Sequence, residues 1–317
     1  MSRVFEALTR ATQQKHTQPD GSERDLKKTL RDSAHVFDSA HTLYEHHLNG
    51  SSAVNGHQKD LPSLPFTVSD KEKSWRERIE EIFFGWDLAR YQNHPIVSLE
   101  RDSAASEQYK ILREQVKRLR IEQGIDAFSI TSPVKRDGKT TVAVNLASAL
   151  ALDYEERVLL IDGDLRAPGV HRYFNVPLSP GLGDYLTAGA FTSVKTLVRE
   201  TFLPGLRILT AGKTSHFSSE LLAKEKMRHL IEEVKAEFPG YRIVIDSPPV
   251  LSTPDPIVIA RHVDAVLLVI RAGKTPRDYL TKALQSLSSI KIMGVVLNGA
   301  NLGISSQYYY YKTDSAY

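Results

Sequence analysis

A chain of 317 residues is long enough for one full α/β domain with about a hundred residues to spare. Its 41 Lys and Arg nearly balance 38 Asp and Glu, a net charge of +3, so the basic stripe of a nucleic-acid-binding protein is excluded and no nucleic-acid partner is expected. Cysteine is absent, which excludes disulfides, thiolate zinc sites and cysteine nucleophiles together.

The first thirty residues carry no apolar core of signal-peptide length, and no stretch approaches the ~18 consecutive apolar residues of a spanning helix. A cytosolic location is expected unless a partner recruits the chain. RVFEALTRAT places Val4, Phe5 and Leu8 on one face of a short helix, which reads as a docking peptide. The stretch that follows, to about Leu61, is polar and aperiodic, a linker whose histidines at 35, 41, 46, 47 and 57 lack metal-ligand spacing. WRERIEEIFFGWDL then sets Trp75, Ile79, Ile82, Phe83 and Trp86 at helical spacing, for packing on this chain or on a partner. Residues 1–100 are accordingly assigned to a docking helix and linker, 101–305 to the main domain and 306–317 to a tail.

From Ala127 onward, short β-branched apolar runs alternate with amphipathic segments. AFSIT, RVLLID, LRILT, YRIVID, DAVLLVI and IKIMGVVLN are the runs, and KTTVAVNLASALAL, SSELLAKEKMRHLIEEVKAEF and PRDYLTKALQSL are the helices between them. This alternation predicts an α/β fold with a doubly wound, mostly parallel sheet covered by helices on both faces. Ligands of such folds sit beyond the carboxyl ends of the strands, so the informative residues should follow the apolar runs directly.

After AFSIT comes SPVKRDGKTT, in which Asp137, Gly138, Lys139, Thr140 and Thr141 open a helix. Amide groups at a helix N-terminus cradle phosphate, a lysine there reaches the outer phosphates, and a threonine hydroxyl coordinates magnesium. Pro133 stands where a full phosphate-binding loop carries glycine. The second run ends VLLIDGDLR and delivers Asp162, Asp164 and Arg166 to the same sheet edge. Two carboxylates just past a buried strand are costly unless solvated, paired or bound to metal, and magnesium-ATP supplies a reason for them. Arg166 either steadies phosphates or forms a structural salt bridge. The run YRIVID ends in Asp246, at the place where phosphate-loop proteins hold magnesium.

Together these segments resemble the bacterial tyrosine kinase family, over about residues 101–311 and including AGKTSHFSSELL, VDAVLLVIRAGKT and GVVLNGAN. The resemblance implies that Lys139 and Thr140 hold phosphates and magnesium. It gives Asp162 and Asp164 metal binding and activation of the attacking tyrosine hydroxyl, and lets Asp246 complete the magnesium shell. The terminal QYYYYKTDSAY, with Tyr308, Tyr309, Tyr310, Tyr311 and Tyr317, is similar to that family's autophosphorylation tail, although a tyrosine run also suits an edge strand or an adhesive patch. SEQYKILREQVKRLR carries Glu107, Lys110 and Arg113 at three-residue steps, where the family has glutamate and two arginines that hold subunits in a ring. Lys110 keeps the charge but loses the planar fork. The family further implies a role in exopolysaccharide or capsule export, exerted at the membrane through an adaptor that activates the kinase, with protein tyrosines as substrates. Lys135 and Arg136 depart from the proline and glycine frequent in the family's loop, and a positive φ at Arg136 would store strain. A partitioning-type switch ATPase and a nucleotide-dependent export scaffold are the rival readings.

Overall fold

The computed structural model describes residues 96–100, 103–153, 156–187, 193–214, 218–222 and 225–300. The docking helix, the linker, the Trp75 segment and the tyrosine tail lie outside the described residues.

A short 3-10 turn, Val97–Leu99, precedes helix α1, Ala104–Gln123. Ser103 caps α1 by accepting the amide of Ser106, and Gly124 closes it in the left-handed conformation at φ 66°. Leu112, Val116 and Leu119, spaced by four and three, form the inward stripe of α1. Next come β1, Ala127–Thr131, and α2, Lys139–Ala151. Strand β2, Arg157–Asp162, leads into the short helices α3, Val170–Tyr173, and α4, Leu182–Thr187. Strands β3, Arg199–Glu200, and β4, Leu206–Leu209, precede α5, Ser218–Leu222, and α6, Glu225–Glu237. The chain continues through β5, Tyr241–Asp246, α7, Asp255–Ala260, β6, Ala265–Arg271, α8, Arg277–Ser286, and β7, Ile292–Asn298. None of the helices among the described residues is long and apolar enough to cross a membrane.

The sheet has seven strands in the order β3-β4-β2-β5-β1-β6-β7, all parallel except β3, which runs antiparallel to β4. The doubly wound expectation therefore holds, with every apolar run of the sequence becoming a strand. Alternation along the strands sorts the core into two layers. Phe128, Ile130, Val158, Leu160, Val244 and Leu267 face α1 and α2, whereas Leu159, Ile161, Ile243 and Ile245 face α4, α5 and α6. Helix α2 lies between the sheet and α1, so every residue from Val142 to Ala151 is buried. At the far end of the sheet Arg242, fully buried, bridges Glu156 at 3.1 Å and donates to the Val116 carbonyl of α1 at 3.2 Å.

Candidate nucleotide site

The parallel register aligns Asp162 of β2 with Asp246 of β5, and Asp246 with Ile130 of β1. Side chains two residues apart share a face, so both aspartates lie on the side of Leu160 and Val244, where α2 begins. This places two carboxylates on neighbouring strands beneath one helix N-terminus, with the loop 132–138 beside them.

Lys139, on the first turn of α2, contacts Asp164 Oδ2 at 2.9 Å and approaches Asp246 Oδ1 at 3.7 Å. Thr140 Oγ1 donates to Asp246 Oδ2 at 2.7 Å. Asp162 holds the loop after β2 in place, accepting the amides of Gly169 and Val170 at 3.0 Å on one oxygen and that of Asp164 at 3.2 Å on the other. Asp164 accepts the Ala167 amide at 2.9 Å. Gly169 comes so close that a Cβ there would meet Thr140 Cγ2 at 3.1 Å.

Burial and the neighbouring Asp246 push the Asp162 carboxyl up to about 7. Asp246 is raised too, chiefly by burial, while Lys139 and Thr140 pull the other way. Burial works against the charge of Lys139, but Asp246 and Asp164 outweigh it and its ammonium titrates above the ordinary lysine value. Among the described residues Lys139 is thus the cation that the cleft carboxylates Asp164 and Asp246 share.

A magnesium ion fits these residues. Asp246 Oδ1 is buried and, among the described residues, has no hydrogen-bond partner, a position that a cation or its water would satisfy. The Thr140 hydroxyl sits on the other oxygen of the same carboxylate. No cluster of three or more carboxylates or imidazoles among the described residues cages an ion unaided.

The other expected site residues, where described, make contacts of their own. The Thr141 hydroxyl pairs with the Tyr173 hydroxyl at 2.9 Å, tying α2 to α3. Asp137 turns inward, only 3% exposed, and accepts Thr275 Oγ1 at 2.9 Å and the Val134 amide at 3.3 Å. Arg166, left between two roles by the sequence, donates to Ser218 Oγ at 2.8 Å and pairs with the buried Asp255 at 3.4 Å. Glu107 and Lys110 pair with each other on α1 at 2.6 Å, and Arg113 pairs with Glu114 at 2.8 Å. Tyr308–Tyr311 and Tyr317 lie outside the described residues. Arg136 does adopt a positive φ, 70°. Sequence reasoning assigned no role to Arg271 and Asn298, whose side chains reach the loop from the ends of β6 and β7. Their signal was positional, since both close an apolar run at the ligand-bearing edge.

No protein-family model matches the chain. The tyrosine-protein kinase YwqD of Bacillus subtilis (strain 168) is 33% identical over 227 residues, covering 71% of this chain and 94% of that protein. The tyrosine-protein kinase ptk of Acinetobacter johnsonii is 32% identical over 214 residues, covering 67% of this chain but 28% of that longer protein. Among solved structures, the kinase domain of the Escherichia coli tyrosine kinase ETK superposes with a TM-score of 0.61 at 28% identity, covering 67% of this chain and 82% of that one.

Proposed function

The chain belongs to the bacterial tyrosine-protein kinase family, and from that membership we propose that it is an ATP- and magnesium-dependent tyrosine autokinase acting on its own terminal tyrosines. The observation that carries this reading is the convergence of Lys139, Thr140, Asp162, Asp164 and Asp246 at one sheet edge beneath the N-terminus of α2. Phosphoryl transfer asks a protein mainly for positioning and charge neutralisation, and this site offers both.

Lys139 leaves Asp164 for the outer phosphates of ATP, and the first amides of α2 receive the same oxygens. Thr140 and Asp246, with the aspartate pair of β2, would hold magnesium, which neutralises phosphate charge when bound. A tyrosine hydroxyl, with an ordinary pKa of about 10, needs a carboxylate to take its proton as the new bond forms. Asp162 and Asp164 stand at the edge where that oxygen arrives. The phosphorus–oxygen bond to ADP breaks, the tyrosine oxygen keeps the phosphoryl group, and the proton passes to carboxylate.

Tyr308, Tyr309, Tyr310, Tyr311 and Tyr317 are the proposed acceptors. Glu107, Lys110 and Arg113 would hold the subunits in a ring. Their present partners are surface ion pairs, which cost little to exchange. The further proposals are an adaptor at the inner face of the membrane that activates the kinase, and control of exopolysaccharide export.

The test incubates the full chain with magnesium-ATP, with and without an adaptor peptide, and maps phosphotyrosine by mass spectrometry beside Lys139→Met and a truncation ending at Ser306. Phosphate on the tail tyrosines, absent from Lys139→Met, is the expected result. ATP hydrolysis without phosphotyrosine, indifferent to adaptor and truncation, would replace this reading with the switch ATPase.

A further inference from the structure

The loop 132–138 is held by side chains that lie outside it. Arg136 and Gly138 are both left-handed, at φ 70° and 92°, on either side of Asp137. A left-handed residue with a side chain costs about 1–2 kcal/mol, and persists only where its surroundings dictate it.

Those surroundings are the ends of β6 and β7. Arg271 Nη1 donates to the carbonyl of Arg136 at 3.1 Å, and Asn298 Nδ2 donates to the carbonyl of Asp137 at 2.9 Å. In a trans peptide the carbonyl and the following amide point in opposite directions. Fixing these two carbonyls toward β6 and β7 therefore turns the amides of Asp137 and Gly138 the other way, as successive donors of an anion-receiving nest.

The anchors are themselves braced. The Ala272 amide donates to the Asn298 carbonyl at 2.9 Å, and the Arg271 amide donates to Thr275 Oγ1 at 2.7 Å. The Thr275 hydroxyl in turn donates to the buried Asp137 carboxylate at 2.9 Å. Asn298 lies so close over Gly138 that a Cβ there would fall 1.9 Å from Nδ2, so the glycine serves both the backbone angle and the anchor.

We propose that Arg271 and Asn298 are positioning residues that preset the loop's amides for the phosphates, so that nucleotide binding need not first reorganise the loop. This rests on the reading of residues 132–141 as a nucleotide site, although not on the chain being a kinase.

The experiment measures dissociation constants of the full chain for ATP and for inorganic tripolyphosphate, which has no base, in Asn298→Asp, Arg271→Ala and Arg271→Lys. Asn298→Asp keeps the shape but sets a carboxylate against the Asp137 carbonyl. Each anchor is expected to be worth about tenfold in affinity, the equivalent of about 1.4 kcal/mol and of one well-made hydrogen bond. The loss should be equal for ATP and tripolyphosphate, and Arg271→Lys should recover most of it, with the melting temperature without ligand unchanged. Loss for ATP with tripolyphosphate unaffected would assign Asn298 to the base and overturn the proposal, as would full affinity in Arg271→Ala. Parent protein that binds neither ligand would overturn the nucleotide site itself, whereas binding as expected without phosphotyrosine would retain the anchors and discard the kinase.

Discussion

Replacing Arg242 with methionine should destabilise the domain more than any single change at its surface. Arg242 is fully buried, its guanidinium meets Glu156 through Nε at 3.3 Å and Nη2 at 3.1 Å, and its remaining nitrogen donates to Val116 of α1. Burial holds its pKa below the ordinary arginine value, against the pull of Glu156. Methionine fills much of the volume but leaves Glu156, 6% exposed, with Arg120 at 3.3 Å as its one ion-pair partner among the described residues. Breaking a buried pair from one side costs about 3–5 kcal/mol, and Arg120 places this case near the lower end. With a urea slope of about 2 kcal/mol/M, the midpoint followed by circular dichroism should fall by about 1.5 M. Adding Glu156→Gln should recover at least half of that, because most of the cost is the uncompensated charge. A midpoint shift below about 0.5 M at an unchanged slope, or a double variant worse than the sum of its parts, would refute the reasoning.

In the folded chain Asp162 keeps its proton up to about 7, where the unfolded chain has already lost it. Its contribution to stability therefore falls as pH rises from the ordinary aspartate range to neutrality. Asp162→Asn should flatten that slope, giving a chain more resistant to urea than the parent at pH 8 and little different at pH 5. Arg166→Ala, which removes contacts to Ser218 and Asp255, should lower the melting temperature by a few degrees and change the ATP dissociation constant by less than about twofold. A tenfold loss of affinity would assign Arg166 to the phosphates. Lys110→Arg supplies the planar fork that lysine lacks and should move the chain toward larger assemblies in light scattering, whereas Arg113→Ala should move it toward the monomer.

The parallel strands were legible because each is a mainly apolar run, and all but β4, Leu206–Leu209, end in a charged or polar residue at the ligand-bearing edge. Arg199–Glu200 was not, since a two-residue antiparallel strand has no period to read. The same holds for Val170–Tyr173, Leu182–Thr187 and Asp255–Ala260, which are too short to show an apolar stripe. At the candidate site, Lys139, Thr140 and the three aspartates stood out because they open the helix after one apolar run or close or directly follow two others, where phosphate and magnesium chemistry would need them. What they touch did not. The pairing of Arg166 with Asp255 spans 89 positions, and the hold of Asn298 on Asp137 spans 161. Such contacts are made by topology, with no local pattern. Arg136 shows the limit from the other side, because its positive φ was foreseeable as a conflict but its resolution by Arg271 was not.

Helix α2 lies with one side on the sheet and the other under α1, buried from Val142 to Ala151. The amides of this buried stretch are expected to meet deuterium only when the whole domain opens, so that their exchange times global unfolding rather than local motion. A ligand gripped at the first turn of that helix should slow exchange from Val142 to Ala151 by the factor 1 + [L]/Kd. The interior of the molecule thereby becomes a gauge of occupancy at its edge, readable without any label on the nucleotide.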